Sequence, residues 1–317
     1  MLTVCPDYLN EFKCTASACR HNCCIGWEID IDEDTLKKYS GITGNMGTRL
    51  KENISGGDEP HFILAENDRC PFLNESNLCD LILHGGEDML CQICTDHPRF
   101  RNFLPGRTEL GIGLCCESAG KLIISRTAPV TLISEGSPEE TDKDSEFLLN
   151  LRKKAFSTAQ DRTKPFYERC SEILSLCSTA FPTLSVPDLC DLYLSLERLD
   201  EKWTAVLENL KANHKIIDSS SFLSYMSGRE TEYEQLLVYF VYRHFLSAYD
   251  DGDIESKATF AVMSVYLIYL LGALHFADTG SFSIDDQIEL ARMYSSEIEY
   301  SQENLDTLFD AFYVIEE

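Results

Sequence analysis

The uneven distribution of cysteine is the feature that most constrains this chain. Fourteen cysteines occur in 317 residues, and eleven of them lie before residue 117. Residues 1–13 contain no basic segment followed by an apolar run, so we expect no secretory signal and a reducing, cytoplasmic environment. In that environment dense cysteine is typical of metal or redox sites rather than disulfide scaffolds. The sequence therefore predicts that metal–thiolate bonds order the N-terminal part.

Ten of these eleven cysteines form three groups, and the spacing within the groups does not decide which metal they bind. They are a C-x4-C-x3-C-C run, a central set and a vicinal pair: Cys14, Cys19, Cys23 and Cys24; Cys70, Cys79, Cys91 and Cys94; Cys115 and Cys116. Successive side chains diverge, so Cys23 and Cys24 suit neighbouring sites, or one binds metal while the other packs. Zinc prefers two C-x2-C knuckles, and these groups contain only one, formed by Cys91 and Cys94. The spacing therefore supports iron–sulfur ligation at least as well as zinc. Trp27 is expected to cover the site.

Two parts of the chain differ in sequence pattern. Glycine interrupts residues 1–130 so often that long helices are not expected there. Residues 128–144 combine proline, serine and acids, the composition of an exposed connection. Beyond it, apolar residues recur at intervals of three and four, which predicts helices. The predicted fold is mainly α, with an irregular cysteine-rich metal-binding N-terminal domain (1–130) followed by an α-helical bundle (145–317).

Most of the second part is predicted to be helical. The expected helices span residues 147–156, 167–176, 189–199, 201–210, 233–249, 258–276, 284–294 and 305–314. Residues 258–277 carry no charge and approach the ~20 residues of a membrane span. Their flanks are acidic rather than basic, so we expect a buried core helix and no stable membrane insertion. Three further cysteines are expected in the core, namely Cys170, Cys177 and Cys190.

The net charge excludes one class of partner. Lys and Arg number 27 and Asp and Glu 53, which gives a formal charge of -26. Such a chain repels the phosphate backbone, so no nucleic acid is expected as a partner. A cationic, lysine-bearing partner fits this charge. The alternative is that the acids only form a solvated, solubilising surface.

Several segments resemble known families. The runs FKCTASACRHNCCIGWEIDID, CPFLNESNLC and ICTDHPRF resemble the YkgJ-type cysteine-cluster family, whose members have a zinc- or iron-chelating domain. The runs FVYRHFLSAYD and YSSEIEYSQENL, residues 240–250 and 294–305, resemble the flagellin lysine N-methylase family. The resemblance implies methylation of lysine side chains on flagellin, with S-adenosylmethionine as the donor and an iron–sulfur centre.

The family pattern implies a set of cluster cysteines in this chain. It falls on Cys14, Cys19, Cys23, Cys24, Cys70, Cys79, Cys94 and Cys115. Cys91 and Cys116 look additional to that pattern. The third group reads CCESAG where the family has Cys-Pro-Glu, so the choice between Cys115 and Cys116 stays open. We expect an iron–sulfur cluster of the 4Fe-4S type on these thiolates, with zinc as the alternative.

Neither familiar motif for binding the methyl donor occurs in the sequence. A glycine-rich loop should join a strand to a helix in an alternating domain, and ELGIG at residues 109–113 lacks that context. A radical enzyme needs C-x3-C-x2-C, and Gly26 stands where the third cysteine should be. Methyl transfer still requires an aromatic face for the sulfonium ion and a base that deprotonates the lysine.

The C-terminal segment supplies candidate residues at helical spacing. Glu297 and Tyr300 are the candidate catalytic residues, and Tyr294 would bind the donor on the same helix face. Arg243, beside His244, is a candidate clamp for the donor carboxylate. For the C-terminal segment the alternative is an ordinary amphipathic surface helix. For Arg243 and His244 the alternative is that they are satisfied in a core ion pair.

The leading hypothesis is a protein-lysine N-methyltransferase that acts on flagellin or another lysine-bearing protein. The alternative, from a different class, is a redox or interaction module that binds iron–sulfur or zinc without methyl transfer. A structural zinc protein is a third hypothesis.

Overall fold

The chain forms two compact units, which are described separately. The computed structural model describes residues 1–57, 59–137 and 141–314. The cysteine-rich unit is Lys13–Phe100, and the helical unit combines Met1–Phe12 with Arg101–Glu317. The sequence places the boundary between residues 130 and 145, whereas the chain changes unit after Phe100. The difference arises because a sheet joins the N-terminus to residues beyond 100.

This sheet has four strands in the order β2-β3-β1-β4. The strands are β1 (Leu2–Pro6), β2 (Arg99–Leu104), β3 (Arg107–Ile112) and β4 (Leu132–Gly136). Strand β1 runs parallel to β3 and antiparallel to β4, with Val4 opposite both Glu109 and Ser134. Strand β4 lies in the stretch for which the sequence predicts an exposed connection. Its residues are mostly exposed, so no apolar alternation marks the strand.

Short helices and loops make up the cysteine-rich unit. The helices are α1 (Glu33–Ser40), α2 (Gly44–Glu52), α3 (Asp80–Gly85) and α4 (Gln92–Asp96). Helix α1 begins after Asp32, whose carboxylate accepts the Thr35 backbone N–H at 2.9 Å. The aromatic core contains Tyr39, Phe62 and Phe72. The irregular architecture agrees with the prediction, while metal binding stays a prediction.

The helical unit is mainly helix, which confirms the mainly α class. Its helices are α5 (Glu117–Ile124), α6 (Lys143–Ala159), α7 (Phe166–Leu176), α8 (Val186–Leu194), α9 (Glu201–Asn213), α10 (Ser219–Tyr225), α11 (Glu230–His244), α12 (Ala248–Asp251), α13 (Ile254–Thr279), α14 (Ile284–Ile298) and α15 (Gln302–Val314). Ser283 and Asp286 form a reciprocal capping box at the start of α14. The cysteines predicted in the core are buried, namely Cys170, Cys177 and Cys190.

Helix α13 is the central buried helix of this unit. By length and composition Ile254–Thr279 could cross a membrane, and 72% of its most apolar window is buried within the protein. It packs against α11, α14 and α15. The Phe260 ring lies 6.2 Å from that of Phe240 on α11 and 5.2 Å from that of Phe309 on α15. This is the packing predicted for a core helix.

One helix ends earlier than its apolar pattern indicates. The sequence predicts a helix to residue 199, but α8 ends at Leu194. Side chains near the end of α14 and in α15 bind the backbone beyond that point. The Glu197 N–H donates to the Asn304 side-chain oxygen at 2.9 Å, and the Leu199 N–H donates to the Glu297 carboxylate at 2.8 Å. The N–H groups of Glu197 and Leu199 thus donate to side chains instead of to the helix backbone, and the helix ends before them.

Candidate functional site

Six thiols of the cysteine-rich unit lie near one another. We call them the thiol cluster: Cys23, Cys24, Cys70, Cys79, Cys91 and Cys94. All but the first belong to one apolar core or pack against it. Cys91 is 0% exposed and Cys70 is 6% exposed. Thiolates are soft donors, so this set has the chemistry that an iron–sulfur cluster or zinc requires.

Backbone hydrogen bonds bring the two sequence groups together. The Cys70 N–H donates to the Cys24 carbonyl at 2.8 Å, which joins the first group to the second. Leu73 and Cys79 face each other in an antiparallel bridge that closes the loop between Cys70 and Cys79. The local fold therefore places thiols that are distant in sequence on the same core.

Thiol–thiol hydrogen bonds separate the pKa values of neighbouring cysteines. The bond from Cys24 lowers the pKa of the Cys23 thiol to about 7, and the pKa of Cys24 rises. In a second pair, the bond to Cys94 lowers the pKa of Cys91 while the pKa of Cys94 rises. The members of each pair therefore ionise one at a time. Deprotonating both would need the positive charge of a bound metal.

Cys14 and Cys19 lie on either side of a short turn before the vicinal pair. The Ala16 N–H lies 3.3 Å from the Cys14 sulfur, and the Cys19 thiol donates to the His21 carbonyl at 3.3 Å. In the part of the chain that the structure describes, no three His, Cys, Asp or Glu side chains form a site for a single metal ion. An iron–sulfur cluster spreads its thiolates over several irons, so it does not require them to meet at one point.

The family pattern leaves Cys91 out, although the sequence places it in the second cysteine group at C-x2-C spacing from Cys94. The structure brings Cys91 into the thiol cluster. Trp27 lies next to the cluster, and its indole N–H donates to the Cys23 carbonyl at 2.5 Å.

Glu299 is the centre of a buried polar cluster in the helical unit. Its carboxylate accepts hydrogen bonds from the Tyr239 hydroxyl at 2.9 Å and from His244 Nε2 at 2.7 Å. Arg243 Nε lies 3.2 Å from the same carboxylate, and Arg243 Nη2 donates to the Glu299 carbonyl at 2.9 Å. The Glu299 side chain is 0% exposed. Arg243 thus forms a core ion pair with Glu299, as the alternative from the sequence expects, and His244 hydrogen-bonds to the same carboxylate. The donor-binding role of Arg243 stays a prediction.

The charges within this cluster follow from its burial. Desolvation acts to raise the pKa of Glu299, but the Arg243 guanidinium and the bond from His244 lower it overall. Desolvation lowers the pKa of His244, against the effect of Glu299. At neutral pH Glu299 is therefore anionic, His244 is neutral, and Arg243 carries the compensating charge.

Tyr300 lies at the edge of this cluster. The Arg243 guanidinium carbon is 5.0 Å from the centroid of its ring, within cation–π range. The Tyr300 hydroxyl hydrogen-bonds with the Cys115 thiol. It also passes directly over Gly113, where a Cβ atom would overlap the hydroxyl oxygen. The turn after β3 and the end of α14 are therefore in close contact.

Tyr294 and Glu297 lie in the packed interior. Tyr294 is 0% exposed, and its hydroxyl is 2.6 Å from the Ser264 hydroxyl and 3.2 Å from the Tyr193 hydroxyl. The Glu297 carboxylate accepts two backbone N–H groups between α8 and α9, each at 2.8 Å. Both side chains have structural partners, and their catalytic and donor-binding roles stay predictions.

Of the four predicted catalytic and donor-binding residues, Tyr300 is the most exposed, at 46%. Burial of its hydroxyl end raises its pKa above the ordinary value, so it is protonated at neutral pH. Tyr300 can therefore donate a hydrogen bond or offer its ring, but it is a poor base. Its catalytic role also stays a prediction.

Comparison with known proteins finds matches for the C-terminal part. Residues 185–316 match the sequence model of the FliB lysine N-methylase C-terminal domain. The chain is 30% identical over 128 residues to a lysine-N-methylase of Salmonella typhimurium. The aligned segment covers 38% of this chain and 32% of that protein. The chain is 29% identical over 128 residues to the flagellar biosynthetic protein FliU of Salmonella muenchen, which covers 38% of this chain and 75% of that protein. The match thus spans about a third of the lysine-N-methylase. No solved structure matches.

Proposed function

We propose that this chain is a protein-lysine N-methyltransferase, because residues 185–316 match the FliB lysine N-methylase C-terminal domain. The observation that carries the proposal is this family match, which confirms the resemblance to flagellin lysine N-methylases. The matched residues run from the start of α8 into α15 and include Arg243, Glu299 and Tyr300. The substrate we propose is flagellin or a related lysine-bearing protein, which agrees with the flagellar name of one relative.

The donor in this proposal is S-adenosylmethionine, and the reaction takes place in the cytoplasm. A bond forms between the lysine Nζ and the methyl carbon while the methyl–sulfur bond breaks. The sulfur keeps that electron pair and leaves as a neutral thioether, and the lysine proton passes to solvent or to a carboxylate. The lysine must react as the neutral amine.

The thiol cluster would hold an iron–sulfur cluster, with zinc as the alternative. The residues fit this group in donor type and burial, and all of them except Cys23 lie in or against one core. When bound, such a group would cross-link the irregular cysteine-rich unit and supply redox or Lewis-acid chemistry. The resemblance adds Cys14 and Cys19 to this proposal. Cys115 lies in the helical unit, and its role as a ligand stays a prediction.

Mass spectrometry of flagellin tests the activity. Anaerobically purified protein, flagellin and donor labelled in the methyl group should give lysine adducts in steps of about 14 Da, the mass of one methylene. Tyr300→Phe should lower the rate, whereas Tyr313→Phe, another exposed tyrosine in the matched domain, should not. Flagellin that stays unmodified across several sources would contradict the proposal.

The second candidate function is a metal-binding redox or interaction module. The thiol cluster supports it, since those six cysteines lie within the cysteine-rich unit alone. Titration calorimetry with S-adenosylmethionine separates the two candidates. Binding of the donor favours the methyltransferase, and metal content without donor binding favours the module.

A further inference from the structure

Cys91 has surroundings that the family pattern does not account for. It is 0% exposed, the lowest exposure of any cysteine in the cysteine-rich unit among the residues described. A buried cysteine can simply be a small apolar residue in a core. The contacts around Cys91 distinguish it from that case.

The segment that carries Cys91 is fastened to both ends of α1. The Tyr39 hydroxyl donates to the Met89 carbonyl at 2.6 Å, and Lys38 Nζ donates to the Asp88 carbonyl at 2.6 Å. At the other end of α1, the Asp32 carboxylate accepts the Gln92 N–H at 2.8 Å. The backbone on either side of Cys91 is therefore fixed before any ligand binds.

The side chain of Cys91 is placed among sulfur atoms. The Tyr39 hydroxyl oxygen is 3.5 Å from Cys91 Sγ, and the Cys91 thiol hydrogen-bonds with the thiol of Cys94 one helical turn later. Cys70, from the loop before α3, is close enough to interact electrostatically with Cys91. Cys94 has the same relation to Cys70 and Cys24. Cys91 thus lies beside Cys94 and Cys70, two residues predicted to bind metal, and Cys94 in turn lies near Cys24.

We propose that Cys91 is a ligand of the metal centre, held in place by the Tyr39 hydroxyl. The cysteine-rich unit then supplies eight thiols from its own residues, Cys14, Cys19, Cys23, Cys24, Cys70, Cys79, Cys91 and Cys94. Once Cys91 is a metal-bound thiolate its sulfur can only accept a hydrogen bond. The single proton of the Tyr39 hydroxyl, which is donated to the Met89 carbonyl, then has this sulfur as a second acceptor 3.5 Å away. This inference rests on the metal part of the proposed function.

The test measures metal in the full chain. Protein purified without oxygen is reconstituted with ferrous iron and sulfide and desalted, and iron, sulfide and zinc are measured per chain together with the absorption spectrum. The variants are Cys91→Ser, Cys94→Ser and, as a matched control, Cys190→Ser, which replaces another cysteine that is 0% exposed in the helical unit. Cys91→Ser should lose about half or more of the bound metal, as Cys94→Ser should, because each removes a ligand. Cys190→Ser should match the wild type.

A second variant covers the case in which Cys91→Ser does not fold. Tyr39→Phe keeps the ring in its stack with Phe62 and removes only the hydroxyl. Hydrogen bonds to ligand sulfurs tune the potential of a metal centre, so this variant should lower the reduction potential and shift the thiolate absorption. Tyr313→Phe serves as the control.

The outcomes separate this inference from the function on which it rests. Metal uptake by Cys91→Ser equal to that of Cys190→Ser, or a Tyr39→Phe spectrum and potential equal to those of the wild type, would overturn the assignment of Cys91 alone. A wild-type chain that takes up neither iron nor zinc would overturn the metal part of the proposed function as well. Methyl transfer to flagellin is measured in a separate assay and is judged independently.

Discussion

Replacing Glu299 by Gln should destabilise the helical unit strongly. The variant keeps the shape of the side chain but leaves Arg243, whose side chain is 10% exposed, without its anion. At 3.2 Å the attraction between the two charges is roughly 5 kcal/mol for an effective dielectric constant of about 20. Breaking one partner of a buried pair typically costs about 3–5 kcal/mol, which agrees with this value. Gln also offers one oxygen where Tyr239 and His244 both donate to the carboxylate.

Urea unfolding and thermal melting, each followed by circular dichroism, measure this loss, because most of the helix lies in the helical unit. The melting temperature should fall by on the order of 10 °C, because about 1 kcal/mol corresponds to roughly 2–4 °C in a unit of this size. The control is Glu172→Gln, which breaks a surface pair with Lys164 whose side chains are 44% and 37% exposed. That control should cost at most about 1 kcal/mol. Equal losses for the two variants would refute the assignment of Glu299 as a buried, charge-paired anchor.

Three further predictions concern the same region. Gly113→Ala should cost about 1–3 kcal/mol in chemical unfolding, because the new Cβ overlaps the Tyr300 hydroxyl, and adding Tyr300→Phe should recover part of that loss. The free energy of unfolding should fall as the pH drops from 7 toward 5. Burial lowers the pKa of His244 in the folded protein, whereas the same side chain binds a proton below about pH 6.5 in the unfolded chain. Unfolding midpoints measured at several pH values in this range should therefore decrease as the pH is lowered. Asn304→Ala should loosen the segment between α8 and α9, because its amide bonds both the N–H and the carbonyl of Glu197; hydrogen exchange there should speed up while exchange in α13 should not change.

The helices could be predicted because their burial follows the sequence period. Helix α13 was predicted on a different ground, because residues 258–277 carry no charge, and most of its residues are buried. The sheet could not be predicted, because the inner positions of β3 break the apolar alternation. Glu109 is 0% exposed and its two carboxylate oxygens pair with Arg152 at 2.5 and 2.7 Å. A pattern search treats such an acid as exposed. Its burial is explained by the pairing with Arg152 on α6 together with the pairing with Arg107 on β3.

Residue types at the candidate sites could be predicted, but their contacts could not. Cysteine spacing singled out the first and second groups, yet the bond from the Cys70 N–H to the Cys24 carbonyl depends on how the loops between them fold. Tyr294 and Glu297 share helical spacing, which suggested one polar wall. The packing of α14 instead directs Tyr294 toward Ser264 and Glu297 toward the backbone beyond α8. Non-local contacts decide such assignments, and local periodicity does not contain them.

The family match begins at residue 185, but the polar cluster around Glu299 is completed by residues before it. The Leu114 N–H donates to the Tyr239 hydroxyl at 3.2 Å, and Asn102 Nδ2 donates to the Arg243 carbonyl at 3.1 Å. Helix α5 packs against α14 so closely that a Cβ at Gly120 would lie 3.3 Å from the Ile288 side chain. Because these contacts cover the inner faces of α11 and α14, the matched segment shares its core with the sheet and α5. Arg243 and Tyr300 therefore owe their positions to both parts of the helical unit, and variants in the turn after β3 belong in any test of the proposed methyl transfer.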